Sequence, residues 1–324
     1  MTELVTFGES MVLFYPRFEN GIESSQQFTK AIGGAESNIA LALARLNHSV
    51  RWISQLGADP FGDYILKTLK GEGVDTSFVE QTSDYPTGIY FKEKRPLRNP
   101  AVYYYRRDSA ASQLSPSDFS DDWIHDTQFV HVTGITPALN EQMFQLTKAV
   151  MKRAKELEKR VVFDPNIRFK LWSEKEAKQK LFELLPYCDV FLPGEEELDC
   201  LFGSDMSELD LFDSIHDLGI RLIVVKKGAE GAVASFDSKR ISAPPYKVEQ
   251  VIDTVGAGDA FAAGLLHELM KIPFDNLSTD DVRTCLKTAT TLGAYATQFS
   301  GDWEGAPTQT VLNDLLGESE ILDR

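Results

Sequence analysis

Short apolar runs rich in β-branched residues alternate along the chain with longer stretches whose apolar positions repeat at helical spacing. Residues 4–7, 51–55, 129–133, 161–164, 190–192 and 222–226 read as strands. Between them the spacing predicts helices over 35–46, 61–71, 141–158, 195–202, 257–270 and 279–297. In the first of these, Ile39, Ala42, Leu43 and Leu46 fall at i, i+3, i+4 and i+7 and share one face. Asn47 follows, a residue that tolerates the left-handed conformation in which helices often end, where Gly is the usual choice. Strands separated by helices build parallel pairs through crossovers. The expected class is therefore α/β, a doubly wound, mainly parallel sheet with helices on both faces.

Two segments break the rhythm. Residues 11–32 and 85–107 are rich in aromatic and alternating positions, which predicts extra strands outside the crossover pattern. Both adjoin elements expected at the carboxyl end of the sheet, where open α/β folds bind ligands. They are expected to form one small β-sheet that covers a pocket as a lid. No internal repeat, low-complexity tract or linker divides residues 1–324, so a single domain carrying this lid is expected.

The composition narrows the partners. With 43% hydrophobic and 25% charged residues, the 324-residue chain can bury a large core. Its net charge of −16 repels nucleic-acid phosphates and anionic lipid, so an anionic ligand needs a local cluster of cations or backbone N–H groups. Three cysteines without a CxxC pair argue against a disulfide framework or a zinc site, and the histidines show no metal-ligand spacing. The N-terminus lacks a basic stretch followed by an apolar run, and no apolar segment is long enough to span a bilayer. A cytoplasmic protein without nucleic-acid or membrane partners is expected.

Two clusters carry chemistry. Asp253-Thr254-Val255-Gly256-Ala257-Gly258-Asp259 stands at the junction of a loop and a predicted helix. Small residues there let backbone N–H groups converge, and the helix dipole adds positive partial charge, which suits a phosphoryl group. An acid inside such a turn is costly unless it works, and the natural work of Asp259 is to accept a proton from an attacking hydroxyl. Taken alone, the same turn reads rather as a capping aspartate on a glycine-rich loop. Gly33-Gly34-Ala35-Glu36-Ser37-Asn38 opens the 35–46 helix; its glycines permit close backbone approach, and Asn38 offers donor and acceptor to a polyol. A hinge followed by an ordinary cap is the alternative. Neither a dinucleotide fingerprint nor a Walker-type phosphate loop is present.

Together, in form and order, the two clusters resemble the paired signatures of the PfkB, or ribokinase-like, carbohydrate kinase family, with Asn47 as the one departure in the first. Within that family the stretches at 7–11, 34–38, 104–106, 109–112, 164–168, 171–172 and 301–305 are similar to those of 2-keto-3-deoxygluconate kinases. The resemblance implies a ribokinase-like fold and transfer of phosphate from ATP to the terminal hydroxyl of a sugar acid. It implies Asp259 as base, with Gly256, Ala257 and Gly258 stabilising the transferred group. The sugar would meet Gly34, Ala35, Glu36, Ser37, Asn38, Tyr90, Tyr104, Tyr105, Arg106, Arg168 and Asp302 as well as Asp259. The nucleotide would meet Asn166, Arg168, Gly194, Lys226, Gly228, Ala229, Glu230, Gly231 and the 256–259 turn. Glu197 matches an acid associated with Mg²⁺ through water, whereas Gly194 stands where many relatives carry Asn. In so acidic a chain, Arg106 and Arg168 are the planar cations a carboxylate requires, unless they form surface salt bridges. A fructokinase or ribokinase type of activity and a non-catalytic sugar or nucleotide sensor remain the alternatives. The exposed aromatic lid also gives a motive for pairing with a second copy.

Overall fold

The computed structural model describes residues 2–17, 21–95 and 98–317. Its strands are β1 (Leu4–Phe7), β2 (Met11–Pro16), β3 (Phe28–Gly33), β4 (Val50–Gly57), β5 (Val79–Thr82), β6 (Ile89–Arg95), β7 (Arg98–Tyr105), β8 (Phe129–Thr133), β9 (Arg160–Asp164), β10 (Val190–Phe191), β11 (Leu222–Lys226), β12 (Ala232–Phe236) and β13 (Lys239–Ala243). Strands β1, β8 and β10 are buried at every position, as strands covered on both faces must be, which is why they read as continuous apolar runs.

Nine strands form the main sheet in the order β13-β12-β11-β10-β9-β8-β1-β4-β5. Pairing is parallel from β5 to β11 and antiparallel through β12 and β13. The chain runs outward from β1 through β4 to β5, then returns to β8 and proceeds the other way. Strand order therefore reverses beside β1, and the crevice beyond the carboxyl ends there is where such sheets take ligands. One core lies on each face. Leu41, Trp52, Leu265 and Leu286 belong to the first, and Phe7, Phe144, Phe163 and Leu181 to the second.

Four further strands, β3-β2-β6-β7, make the small sheet expected from 11–32 and 85–107. It has its own minor core of Met11, Leu13, Ala31 and Tyr90. The short helix Gly21–Ser24 lies within its first segment. None of the described helices is long and apolar enough to cross a membrane.

The helix Ala35–Arg45 ends as its sequence indicates. Asn47 adopts φ of +66°, the Asn47 N–H donates to the Ala44 carbonyl at 3.0 Å, and the His48 N–H reaches back to the Leu43 carbonyl at 3.0 Å. This pair of bonds is the Schellman arrangement, in which Gly pays no Cβ penalty. Asn47→Gly should raise the urea midpoint by up to about 1 kcal/mol of stability with an unchanged m-value; a fall in the midpoint would mean the side chain contributes more than the left-handed backbone costs.

Candidate active site

The helix Ala257–Leu269 is buried from Ala260 onward, so its amino end is fixed by the core and points into the crevice. The turn before it depends on Gly256, which has φ of +80° and lies so close to the Asp302 carbonyl that a Cβ would sit 1.9 Å from that oxygen. No side chain caps this helix, which leaves the N–H groups of its first turn open to a ligand.

Asp259 stands in that first turn and is half-buried, open to the cleft on one side and walled by protein on the others. Burial pushes its carboxyl up to about 7; the Asn38 hydrogen bond and Arg168 oppose the rise, and Asp164 and Asp302 add to it. Asn38 Nδ2 donates to Asp259 Oδ2 at 2.7 Å, and Asn38 Oδ1 is buried without a protein donor. The two sequence clusters thus meet across 221 residues of chain, joined by one hydrogen bond.

A cleft of about 1130 Å³ opens in front of Asp259. Strand ends supply its floor: Glu9 beyond β1, Ile135 beyond β8, Asp164 at the end of β9 and Lys226 at the end of β11. The small sheet supplies Tyr90, Lys92, Tyr104 and Arg106, and the loop after β9 supplies Asn166 and Arg168. Tyr90 and Tyr104 stack with ring centres 5.7 Å apart. The Tyr90 hydroxyl donates to Asp302 Oδ2 at 2.5 Å across a gap that only Gly33 leaves free, since a Cβ there would lie 2.0 Å from that hydroxyl.

The two arginines differ. Arg106 is paired with the buried Glu9 carboxylate, so much of its charge is already answered within the protein. Arg168 is exposed in the cleft and forms no ion pair with a described residue. On the far side, Lys226 Nζ donates to Asp164 Oδ2 at 2.6 Å. Burial disfavours the Lys226 ammonium, but Asp164 and Glu197 more than offset this and hold its pKa above the ordinary value.

Glu197 accepts from the Gly194 N–H at 2.7 Å through Oε2 and from the Ile167 N–H at 2.8 Å through Oε1. Its oxygens are thus committed to the backbone, and no cluster of three or more His, Cys, Asp or Glu able to hold a metal ion occurs among the described residues. With both oxygens so engaged, Glu197 would hold a hydrated Mg²⁺ through water rather than by direct ligation. Gly194, lacking an amide side chain, contributes its backbone N–H instead.

The remaining expected residues divide. Gly34, Ala35, Gly256, Gly258 and Asp302 line the cleft, with Ala257 between two of them. Gly194 and Gly228 line a second cavity of about 360 Å³ beside Glu197 and Lys227. Ala229 and Glu230 are exposed on the turn after β11, and Gly231 is buried, all three outside both cavities. Glu36 lies beneath the cleft, fully buried and accepting from Thr133 Oγ1 at 2.5 Å and Thr136 Oγ1 at 2.7 Å. Ser37 is also beneath it, donating to Ser10 at 3.0 Å. Tyr105 does not reach the cleft: strand alternation turns it from Tyr104, edge-on to Phe91 at 5.8 Å. Lys92 and Glu9 line the cleft without having been singled out from the sequence, where a lysine in an alternating lid strand carries no distinguishing pattern.

Comparison with known proteins agrees with this geometry. The model of the pfkB family carbohydrate kinase matches residues 1–309. The chain is 37% identical over 316 residues to a 2-dehydro-3-deoxygluconokinase of Bacillus subtilis (strain 168), covering 97% of this chain and 95% of the relative. It is 30% identical to a Fructokinase-1 of Oryza sativa subsp. japonica, covering 97% of each. Among solved structures, a PfkB protein from Polaromonas sp. JS666 superposes with a TM-score of 0.86 at 33% identity, covering 97% of this chain and 99% of that one.

The raised Asp259 pKa has a stability consequence. An acid that binds its proton more tightly when folded favours the fold at low pH and loses that contribution as pH rises from its unfolded value of 3.8 through about 7. Asp259→Asn should therefore melt higher than the parent at pH 8, by on the order of 1 kcal/mol after allowing for water in the cleft, with the gap narrowing toward pH 5. Calorimetry giving the same gap at both pH values would contradict a raised carboxyl.

Proposed function

Because the chain belongs to the pfkB family of carbohydrate kinases, we propose that it transfers the γ-phosphoryl group of ATP to the terminal hydroxyl of 2-keto-3-deoxygluconate. The observation that carries this reading is Arg168, a guanidinium that forms no ion pair with a described residue and lies in the same cleft as Asp259, in a chain of net charge −16. A guanidinium offers a planar, permanently charged fork that matches a carboxylate, so an acidic sugar is the ligand it selects. The relative named as a 2-dehydro-3-deoxygluconokinase, 37% identical, supports the same choice.

In this mechanism the sugar lies between the lid tyrosines and Asp259. Asn38 orients the carboxylate by donating to one oxygen, which leaves the other for the attacking hydroxyl. Asp259 takes that proton as the oxygen closes on phosphorus, and its pKa near 7 makes it a stronger base than an ordinary aspartate while it stays ionised in mildly alkaline solution. The N–H groups of Gly256 and Gly258 and the helix dipole meet the charge on the transferred group. Lys226 adds positive charge on the far side of the cleft. Mg²⁺, when bound with ATP, supplies further neutralisation of the phosphate oxygens. The lid excludes water, which would otherwise compete as acceptor.

A neutral keto sugar is the second reading, favoured by the fructokinase relative and by the Glu9 carboxylate that already answers Arg106.

The two readings separate in an ADP-release assay with Mg²⁺-ATP and 2-keto-3-deoxygluconate, its galactonate epimer, fructose, ribose and gluconate. Turnover confined to the 2-keto-3-deoxy acids is expected, and a preference for fructose would overturn the acid reading. Arg168→Ala should raise KM for the acid on the order of 10–100-fold, the cost of a lost charged hydrogen bond. For the parent, kcat/KM should fall tenfold per pH unit below about 7, and removal of Mg²⁺ by a chelator should abolish turnover. Asp259→Asn with near-parental kcat would remove the base assigned here.

A further inference from the structure

Lys92 is the most deeply buried cation at the cleft. It sits on β6 of the small sheet at 3% exposure, yet its ammonium lies in the main body, 2.8 Å from Asp253 Oδ2, 3.0 Å from Asp302 Oδ1 and 3.4 Å from the Gly301 carbonyl oxygen. The two carboxylates belong to different loops. Asp253 opens the glycine turn and shapes it, since its Oδ1 accepts the Val255 N–H at 3.1 Å. Asp302 lies on the other side of that turn, where its carbonyl abuts Gly256, and its Oδ2 receives the Tyr90 hydroxyl. Without a cation between them, two buried carboxylates would face each other beside the open N–H groups of the helix, and their repulsion would spread the loops apart.

We propose that Lys92 is a positioning residue, whose ammonium binds the Asp253 and Asp302 carboxylates into one unit and so registers the closed small sheet against the glycine turn. The proposal rests on the kinase reading above for its effect on turnover, but not for its structural content. Lys92 touches neither Asp259 nor the open N–H groups. It acts through Asp253 on the turn and through Asp302 on Tyr90, so the lid that holds the sugar and the turn that receives the phosphoryl group share one electrostatic joint. Closing the lid then completes the turn, and opening it withdraws the cation from both carboxylates.

Two variants test this, with hydrogen exchange read segment by segment beside steady-state kinetics. Lys92→Met keeps an unbranched stem as far as Cε and removes the ammonium; Lys92→Arg keeps the charge. In Lys92→Met, amide exchange is expected to quicken at least tenfold in both 89–95 and 252–258, while the helix Glu141–Glu156 on the opposite face keeps its parental rate. Its kcat should fall on the order of 10²-fold, with a smaller change in KM for ATP. Lys92→Arg should recover at least half of the lost protection, and kcat to within tenfold of the parent. Exchange that quickens equally in the Glu141–Glu156 helix would reduce Lys92 to a stability residue and overturn the proposal. So would faster exchange in only one of the two segments, or a Lys92→Arg protein no better than Lys92→Met. If the parent itself releases no ADP with any sugar, the kinase reading fails, and the exchange data alone still decide whether Lys92 couples the two segments.

Discussion

The site is governed by the cost of placing a carboxylate where a phosphate must come. Asp259 can serve as a base only if it faces the anion-binding end of a helix, yet each negative charge brought there raises the energy of the others. The fold answers with paired charges in layers. Asn38 donates to Asp259, Lys226 faces Asp164 and Glu197, Lys92 stands between Asp253 and Asp302, and Arg106 meets Glu9. Arg168 forms no ion pair with a described residue, and Lys170 in the same cleft donates to a backbone carbonyl rather than to an acid.

The helix and the small sheet are held in place by different contacts. Asp259 is carried on a helix buried between two others, where Gly264 lets the helix Thr279–Ala296 approach so closely that a Cβ would meet Ala289 Cα at 2.9 Å. Nothing in that contact leaves room for a shift of the helix end. Tyr90 and Tyr104, which line the cleft, ride instead on the four-stranded sheet, joined to the body at the edge of the cleft by Lys92 and by Lys170, whose ammonium donates to the Val102 carbonyl at 2.9 Å.

Much of this was legible in the sequence, and the losses have physical reasons. The buried parallel strands declared themselves because both faces are apolar, and the small sheet because its aromatic alternation fits no crossover. The antiparallel edge was not read: β12 and β13 are joined at Asp237-Ser238, with φ of +48° and +57°, a tight turn usually announced by Asn-Gly or Asp-Gly. The helix Glu174–Leu184 was missed because only Ala177, Leu181 and Leu184 are buried, although the capping box from Ser173 to Glu176 was a usable signal. At the site, motif matching found residues that belong together in sequence but not which of them face the ligand. Glu36 and Ser37 share the Asn38 motif yet lie beneath the cleft, and Tyr105 shares the Tyr104 run yet lies on the other face. Lys92 and Glu9 escaped because their meaning comes from partners more than 90 residues away in the chain.

The separate minor core of the small sheet has an evolutionary corollary. Met11, Leu13, Ala31 and Tyr90 pack among themselves rather than with either large core. A lineage can therefore change these four side chains without reopening either large core, whereas Val12 and Ile32 of the same sheet belong to the core that holds the Ala257–Leu269 helix and are bound to its packing.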